Sequence, residues 1–119
     1  MNKCHIEKTF FYPDKYGLHA RPSVFFAILA QAFKSDIHIK LDNNEVDAKS
    51  MMGLMMLGIK MPGPIKMFFS GEDAKFALDC FDEYLSELPY YNGKFDRLEG
   101  MVSAVIGAVN RKLDERRRL

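Results

Sequence analysis

The sequence predicts a two-layer α+β domain in which helices cover one face of a sheet. Two observations lead there. Stretches of alternating polarity are interleaved with stretches of helical period, in the order strand, helix, strand, strand, helix, strand, helix. Each helical stretch also carries an apolar face that needs a surface to cover. At 119 residues the chain can bury a modest core as one domain without covalent staples. Strand order is left open by this pattern.

Residues Cys4 to Tyr12 read as a strand, with Cys4, Ile6 and then Lys8 or Phe10 alternating against His5, Glu7 and Thr9. Pro13 to Gly17 is a loop. A helix follows from Ala20 to about Phe33. Gly17 permits the bend before it, Pro22 fits only its first turn, and no breaker occurs from Ser23 to Phe33. Its apolar residues form two stripes, Phe26, Ala30 and Phe33, then Phe25, Ile28, Leu29 and Ala32. A helix apolar nearly all round is expected to be covered on more than one side.

Asp36 to Leu41 alternates cleanly, with Ile37, Ile39 and Leu41 inward and His38 outward. Asp42-Asn43-Asn44 turns the chain into a short strand from Glu45 to Ala48. Ser50 stands where a helix N-cap is wanted, before Met51 to Leu57, and Gly58 ends that helix. Of its methionines, Met51 and Met52 read as an adaptable contact surface. Met55 and Met56 weigh toward the core, with Met55 also counted in the contact surface. Met61-Pro62-Gly63-Pro64 excludes regular structure, and Ile65 to Phe69 is the next strand. Ser70-Gly71-Glu72-Asp73 opens a helix from about Asp73 to Leu88, with acids in its first turn and Pro89 after it. Phe76, Ala77, Cys80, Phe81, Tyr84 and Leu88 give it one apolar face.

The division expected is a domain at residues 1–89 and an extension at 90–119. In the extension, Asn92-Gly93 marks a turn, and Asp96 with Glu99 resembles a capping box. A last helix then runs to about Arg117. Leu98, Met101, Val102, Val105, Ile106, Val109 and Leu113 form its apolar stripe. Gly100, Ser103, Ala104 and Gly107 lie opposite and read as facing solvent, with a close helix–helix contact as the alternative. Residues 97–113 are expected to bury their stripe either on the second stripe of the first helix or on another copy, as a homodimer. The basic end, Arg111 to Arg118, suits a helix C-terminus and reads as a solvated tail.

A net charge of +1 gives no global field for nucleic acid or a membrane surface. The two cysteines, Cys4 and Cys80, fall on different elements and read as free thiols, as in a reducing cytoplasm. No signal-peptide pattern and no apolar run of membrane-spanning length occurs, so a cytoplasmic protein is expected. There is no Gly-rich nucleotide loop and no metal-ligand cluster, hence no cofactor and no metal is expected. His5 and His38 fall in strands with no acid spaced to orient them, and read as ordinary sheet residues.

His19 is different. In Gly17-Leu18-His19-Ala20-Arg21-Pro22-Ser23 it stands at the cap of the first helix. The first N–H groups of a helix lack internal partners and carry the positive end of its dipole. An oxyanion on His19 would meet the amides of Ala20 and Arg21 and the Arg21 guanidinium, which can grip phosphate through two bonds. The same positive surroundings oppose protonation of the ring and keep it nucleophilic near neutral pH. Such equipment accepts a phosphoryl group and holds it loosely. It is only half a site, since a donor or acceptor protein must supply the rest.

With Asp47-Ala48-Lys49-Ser50-Met51-Met52-Gly53-Leu54-Met55 and Ser70-Gly71-Glu72-Asp73-Ala74, the Gly17–Ser23 stretch resembles the histidine-containing phosphocarrier family, HPr, of the bacterial phosphotransferase system. The resemblance covers roughly residues 3 to 88. It implies a four-stranded antiparallel sheet with three helices on one face, to which this chain adds a C-terminal helix. It also implies that enzyme I phosphorylates His19 on Nδ1, with phosphoenolpyruvate as ultimate donor, that Arg21 holds the phosphoryl oxygens, and that a IIA-type domain receives the group. Such a protein is a phosphoryl carrier and not an autonomous enzyme. Ser50 matches the family's regulatory serine, the target of HPr kinase/phosphorylase. The partner surface implied comprises Val24, Ile28, Met51, Met52 and Met55. The family often has a lysine on the outer side of the first helix, where this chain has Ile28 and Gln31. A relative with glutamine in place of the histidine would be a regulator only, and this chain keeps the histidine. A regulatory module acting through Ser50 and the last helix is the alternative.

Overall fold

Alternation over Cys4–Tyr12 produces β1, with Phe10 and Tyr12 buried on one side and His5, Glu7 and Thr9 exposed on the other. The structure, a computed structural model, describes residues 4–12, 20–59, 62–87 and 95–118, of which 20–22, 87, 95–98, 101 and 112–118 are described as backbone only. The remaining elements are α1 (Ala20–Gln31), β2 (Asp36–Leu41), β3 (Asn44–Asp47), α2 (Met51–Leu57), β4 (Gly63–Gly71), α3 (Ala74–Glu87) and α4 (Phe95–Arg118). The four strands form one antiparallel sheet in the order β1-β4-β2-β3. The expected α+β class, with helices on a four-stranded sheet and an added C-terminal helix, is borne out.

The inward residues Ile37, Ile39, Ile65, Met67 and Phe69 meet Phe26, Leu29, Ala30 and Phe33 of α1 and Ala77, Phe81 and Tyr84 of α3 in a single core. Aromatic rings join the layers. Phe26 lies 4.9 Å from Phe81 and 5.9 Å, edge-on, from Tyr84, while Phe69 lies 6.0 Å from Phe81.

Several boundaries move for local reasons. α1 gives out at Gln31, two residues early, because its last turn tightens. The Ala32 N–H donates to the Leu29 carbonyl and the Phe33 N–H to that of Ala30. β4 starts at Gly63, so Gly63 and Pro64 are strand, contrary to the expectation of irregular structure there. Pairing of β2 with β4 stops at Lys40↔Lys66, which leaves Pro64 paired only to Phe11 of β1. At that point β4 behaves as an edge, where a proline is tolerated. The β2–β3 hairpin turns through Asp42 and Asn43, with Asp42 left-handed at φ 56°.

α4 packs against α1 and α3 within the same chain. Val102 and Val109 are buried and Val105 and Ile106 half-buried; Gly100, Ser103 and Ala104 face solvent as expected, whereas Gly107 is half-buried. α4 begins at Phe95, so Asp96 lies inside its first turn and is not the cap. The side chains of Leu98, Met101 and Leu113 of the expected stripe lie outside what is described, as do the loop at 13–17, Leu88, Pro89 and the Asn92-Gly93 turn altogether. No described helix is long and apolar enough to cross a membrane.

Candidate functional site

α1 begins at Ala20, the residue after His19, and Ala20 and Arg21 are its first two residues. Their amides therefore belong to the group that a helix leaves without internal partners. His19 itself and the side chain of Arg21 lie outside the described residues. Ser23, one turn on, is fully buried, and Val24 is half-buried.

The second candidate, Ser50, is fully described. It caps α2 in an extended conformation (φ −101°, ψ 111°), and its Oγ accepts the Gly53 N–H at 3.0 Å. Gly58 closes the helix in the left-handed conformation, φ 75°. Two side chains tie the loop before Ser50 to the end of α1. Gln31 Nε2 donates to the Lys49 carbonyl, and Lys49 Nζ donates to the Phe33 carbonyl, both at 2.8 Å. Lys49 thus serves a carbonyl two residues past the end of α1, while its own N–H donates to Asp47 Oδ1 at 2.9 Å. Neither role was visible in the sequence, because donor and acceptor are 16 and 18 residues apart. The nearest signal was a polar Gln31 on an otherwise apolar helix.

α1 and α2 pack against each other, and their outer sides are apolar. Ile28 is exposed, as are Met51, Met52, Met55 and Met56. The weighing of Met55 and Met56 toward the core is therefore corrected: they are 43% and 80% exposed. Leu54 and Leu57, three apart, supply the buried face of this short helix and leave the methionines outside.

Asp73 also departs from expectation. α3 has no acid in its first turn, and the Asp73 carboxylate accepts from Lys34 and Ser35, just before β2. His38 does find an acid, contrary to expectation: its Nδ1 lies 3.3 Å from Glu45 Oε2, brought alongside by the β2–β3 hairpin. His5 stacks on Phe68, with ring centroids 6.5 Å apart. Both histidines are on the sheet face turned away from the helices. A shallow groove on the strands is lined by Thr9, Lys40, Asp42, Lys66 and apolar neighbours. Among the described residues no cluster of His, Cys, Asp or Glu could hold a metal ion. The Cys4 thiol is exposed and Cys80 is buried.

The family described as PTS HPr component, phosphorylation site, matches residues 6–87. The HPr-like protein Crh of Bacillus subtilis (strain 168) is 38% identical over 73 residues, which is 61% of this chain and 86% of that protein. The crystal structure of HPr-C-His from Thermoanaerobacter tengcongensis superposes with a TM-score of 0.66 at 35% identity, covering 70% of this chain and 93% of the other. The phosphocarrier protein HPr from Bacillus anthracis str. Ames gives a TM-score of 0.60 at 39% identity, over 63% and 89% of the two chains. With the sheet order, the helix that opens at Ala20 and the capped helix at Ser50 in place, the chain belongs to the HPr family.

Proposed function

We propose that this protein is a phosphocarrier of the phosphoenolpyruvate-dependent phosphotransferase system, and that His19 carries the phosphoryl group. The observation that supports it most is the start of α1 at Ala20, directly after the one histidine in the Gly17–Ser23 motif. A phosphoryl group on Nδ1 there meets the amides of Ala20 and Arg21, and the Arg21 guanidinium neutralises its equatorial oxygens. The charge is spread without a metal, and the P–N bond remains easy to transfer. Enzyme I is the donor and a IIA-type domain the acceptor. Both dock over α1 and α2 through Val24, Ile28, Met51, Met52 and Met55. Residues 1–89 are the carrier domain and 90–119 an appended cover.

Incubation with enzyme I and labelled phosphoenolpyruvate tests this. Acid-labile label on the wild type, absent from His19→Ala, is the expected result. No label on the wild type overturns the carrier reading.

The resemblance to an HPr-like protein and the cap at Ser50 favour a second role beside the first. Phosphorylation of Ser50, by an HPr kinase/phosphorylase, places two negative charges at a helix N-terminus, where they leave the helix intact. They would act on docking, since Ser50 adjoins the methionine face. Kinase-dependent label on Ser50, with none on His19, is the pattern of a purely regulatory module.

A further inference from the structure

Four of the seven residues of α2 are methionine, and all four are exposed: Met51 40%, Met52 66%, Met55 43% and Met56 80%. Met67, in β4, is fully buried in the core. Leu54 and Leu57 already anchor α2, so the fold makes little use of the four exposed thioethers. Their spacing places Met55 one turn from Met51, and Met56 one turn from Met52.

A thioether is a two-electron reductant whose oxidation follows its access to the oxidant. We infer that α2 is an oxidation-sensitive docking face: peroxide converts its exposed methionines to sulfoxides, which weakens partner docking while the domain stays folded, and methionine sulfoxide reductases restore it. This rests on α2 being a partner face, as proposed above. The sulfur lone pair attacks one peroxide oxygen, the O–O bond breaks, an S–O bond forms and the other oxygen leaves as water. Sulfur loses two electrons and the peroxide gains them. In the reverse step two reductase thiols supply two electrons, become a disulfide, and the sulfoxide oxygen leaves as water.

The structure separates docking from folding in this event. Sulfoxide oxygens on α2 point into water in the free protein and disturb neither the Ser50–Gly53 cap nor the buried Leu54 and Leu57. In a docked complex the same oxygens must be stripped of water, at a cost that lowers affinity on the order of tenfold.

The experiment uses the full chain carrying Cys4→Ser, which removes the exposed thiol as a competing target. Graded hydrogen peroxide, peptide mass spectrometry, near-UV circular dichroism and the KM for transfer from enzyme I are followed together. Expected are oxygen addition at Met51, Met52, Met55 and Met56 before Met67, an unchanged spectrum, and a KM raised roughly tenfold. The reductases MsrA and MsrB with thiol return it to its starting value. A variant with leucine at all four α2 positions, whatever its own starting KM, keeps that value through peroxide treatment. Oxidation of Met67 alongside the four, loss of the near-UV signal, or an unchanged KM after full oxidation overturns the inference alone. Untreated protein that takes no label from enzyme I overturns the docking reading and this inference with it.

Discussion

Asp73 grips Ser35 twice: Oδ1 accepts the Ser35 backbone N–H at 2.9 Å and its hydroxyl at 2.5 Å, across 38 residues of sequence. Oδ2 accepts the Lys34 N–H at 2.9 Å, so one carboxylate fixes the turn between α1 and β2 to the head of α3. Burial pushes this carboxyl up, but the bonds from the Ser35 hydroxyl and the two amides outweigh it and hold it below the usual carboxylate range.

Asp73→Ala should therefore destabilise the protein by about 1.5–3 kcal/mol, the range for hydrogen bonds to a charged acceptor. Urea unfolding measures it. The pH dependence has a fixed sign. With the folded pKa depressed, the contribution is fully present above the unfolded value, roughly 3.9, and is lost as pH falls through the folded value. The stability gap between wild type and Asp73→Asn should narrow in that acid window and stay constant from pH 5 to 7.

Gly71 sits at φ 149°, and an added Cβ would lie 2.6 Å from Ser35 Oγ and 2.8 Å from Ser35 Cα. The clash is partly with backbone, which cannot rotate away. Gly71→Ala should cost about 1–3 kcal/mol, and Ser35→Gly in the same chain should recover only part of it. Full recovery in denaturant melts would show that the side chain alone was in the way.

Ser50→Ala removes the cap on the Gly53 N–H and should cost about 1 kcal/mol. Ser50→Asp retains an oxygen acceptor and should leave stability nearly unchanged while slowing transfer from enzyme I. Equal transfer rates for Ser50→Asp and wild type would remove the case for regulation at this residue.

Val102 and Val109 fix α4 to the body of the molecule. Replacing both with serine should lower stability by about 3–6 kcal/mol, from the loss of two buried valines. Removal of residues 90–119 should uncover the side of α1 that α4 shields, seen as binding of a hydrophobic dye or as self-association. A truncated chain with unchanged dye binding and solution mass would mean that α4 protects nothing.

Much of this molecule was legible because the signals were local. Period-two alternation gave β1 and β2, and Ser50 with Gly58 gave both ends of α2, since a cap is decided within four residues. The near-continuous apolar surface of α1 showed that more than a sheet must cover it, and α2 and α4 do so. The motif around His19 was legible as a candidate for chemistry, and it lies within residues 6–87, which the family matches.

Tertiary structure decided what depends on partners distant in the chain. Pro64 could enter β4 because β2 ends its pairing two residues away, a matter of register. Met55 and Met56 went outside because Leu54 and Leu57 took the single buried face that a seven-residue helix can offer. Asp73, Lys49 and Gln31 found their partners 16 to 39 residues off, where no periodicity points. A sequence fixes which groups need burial or a hydrogen bond, but only the folded chain brings near the atoms that satisfy them.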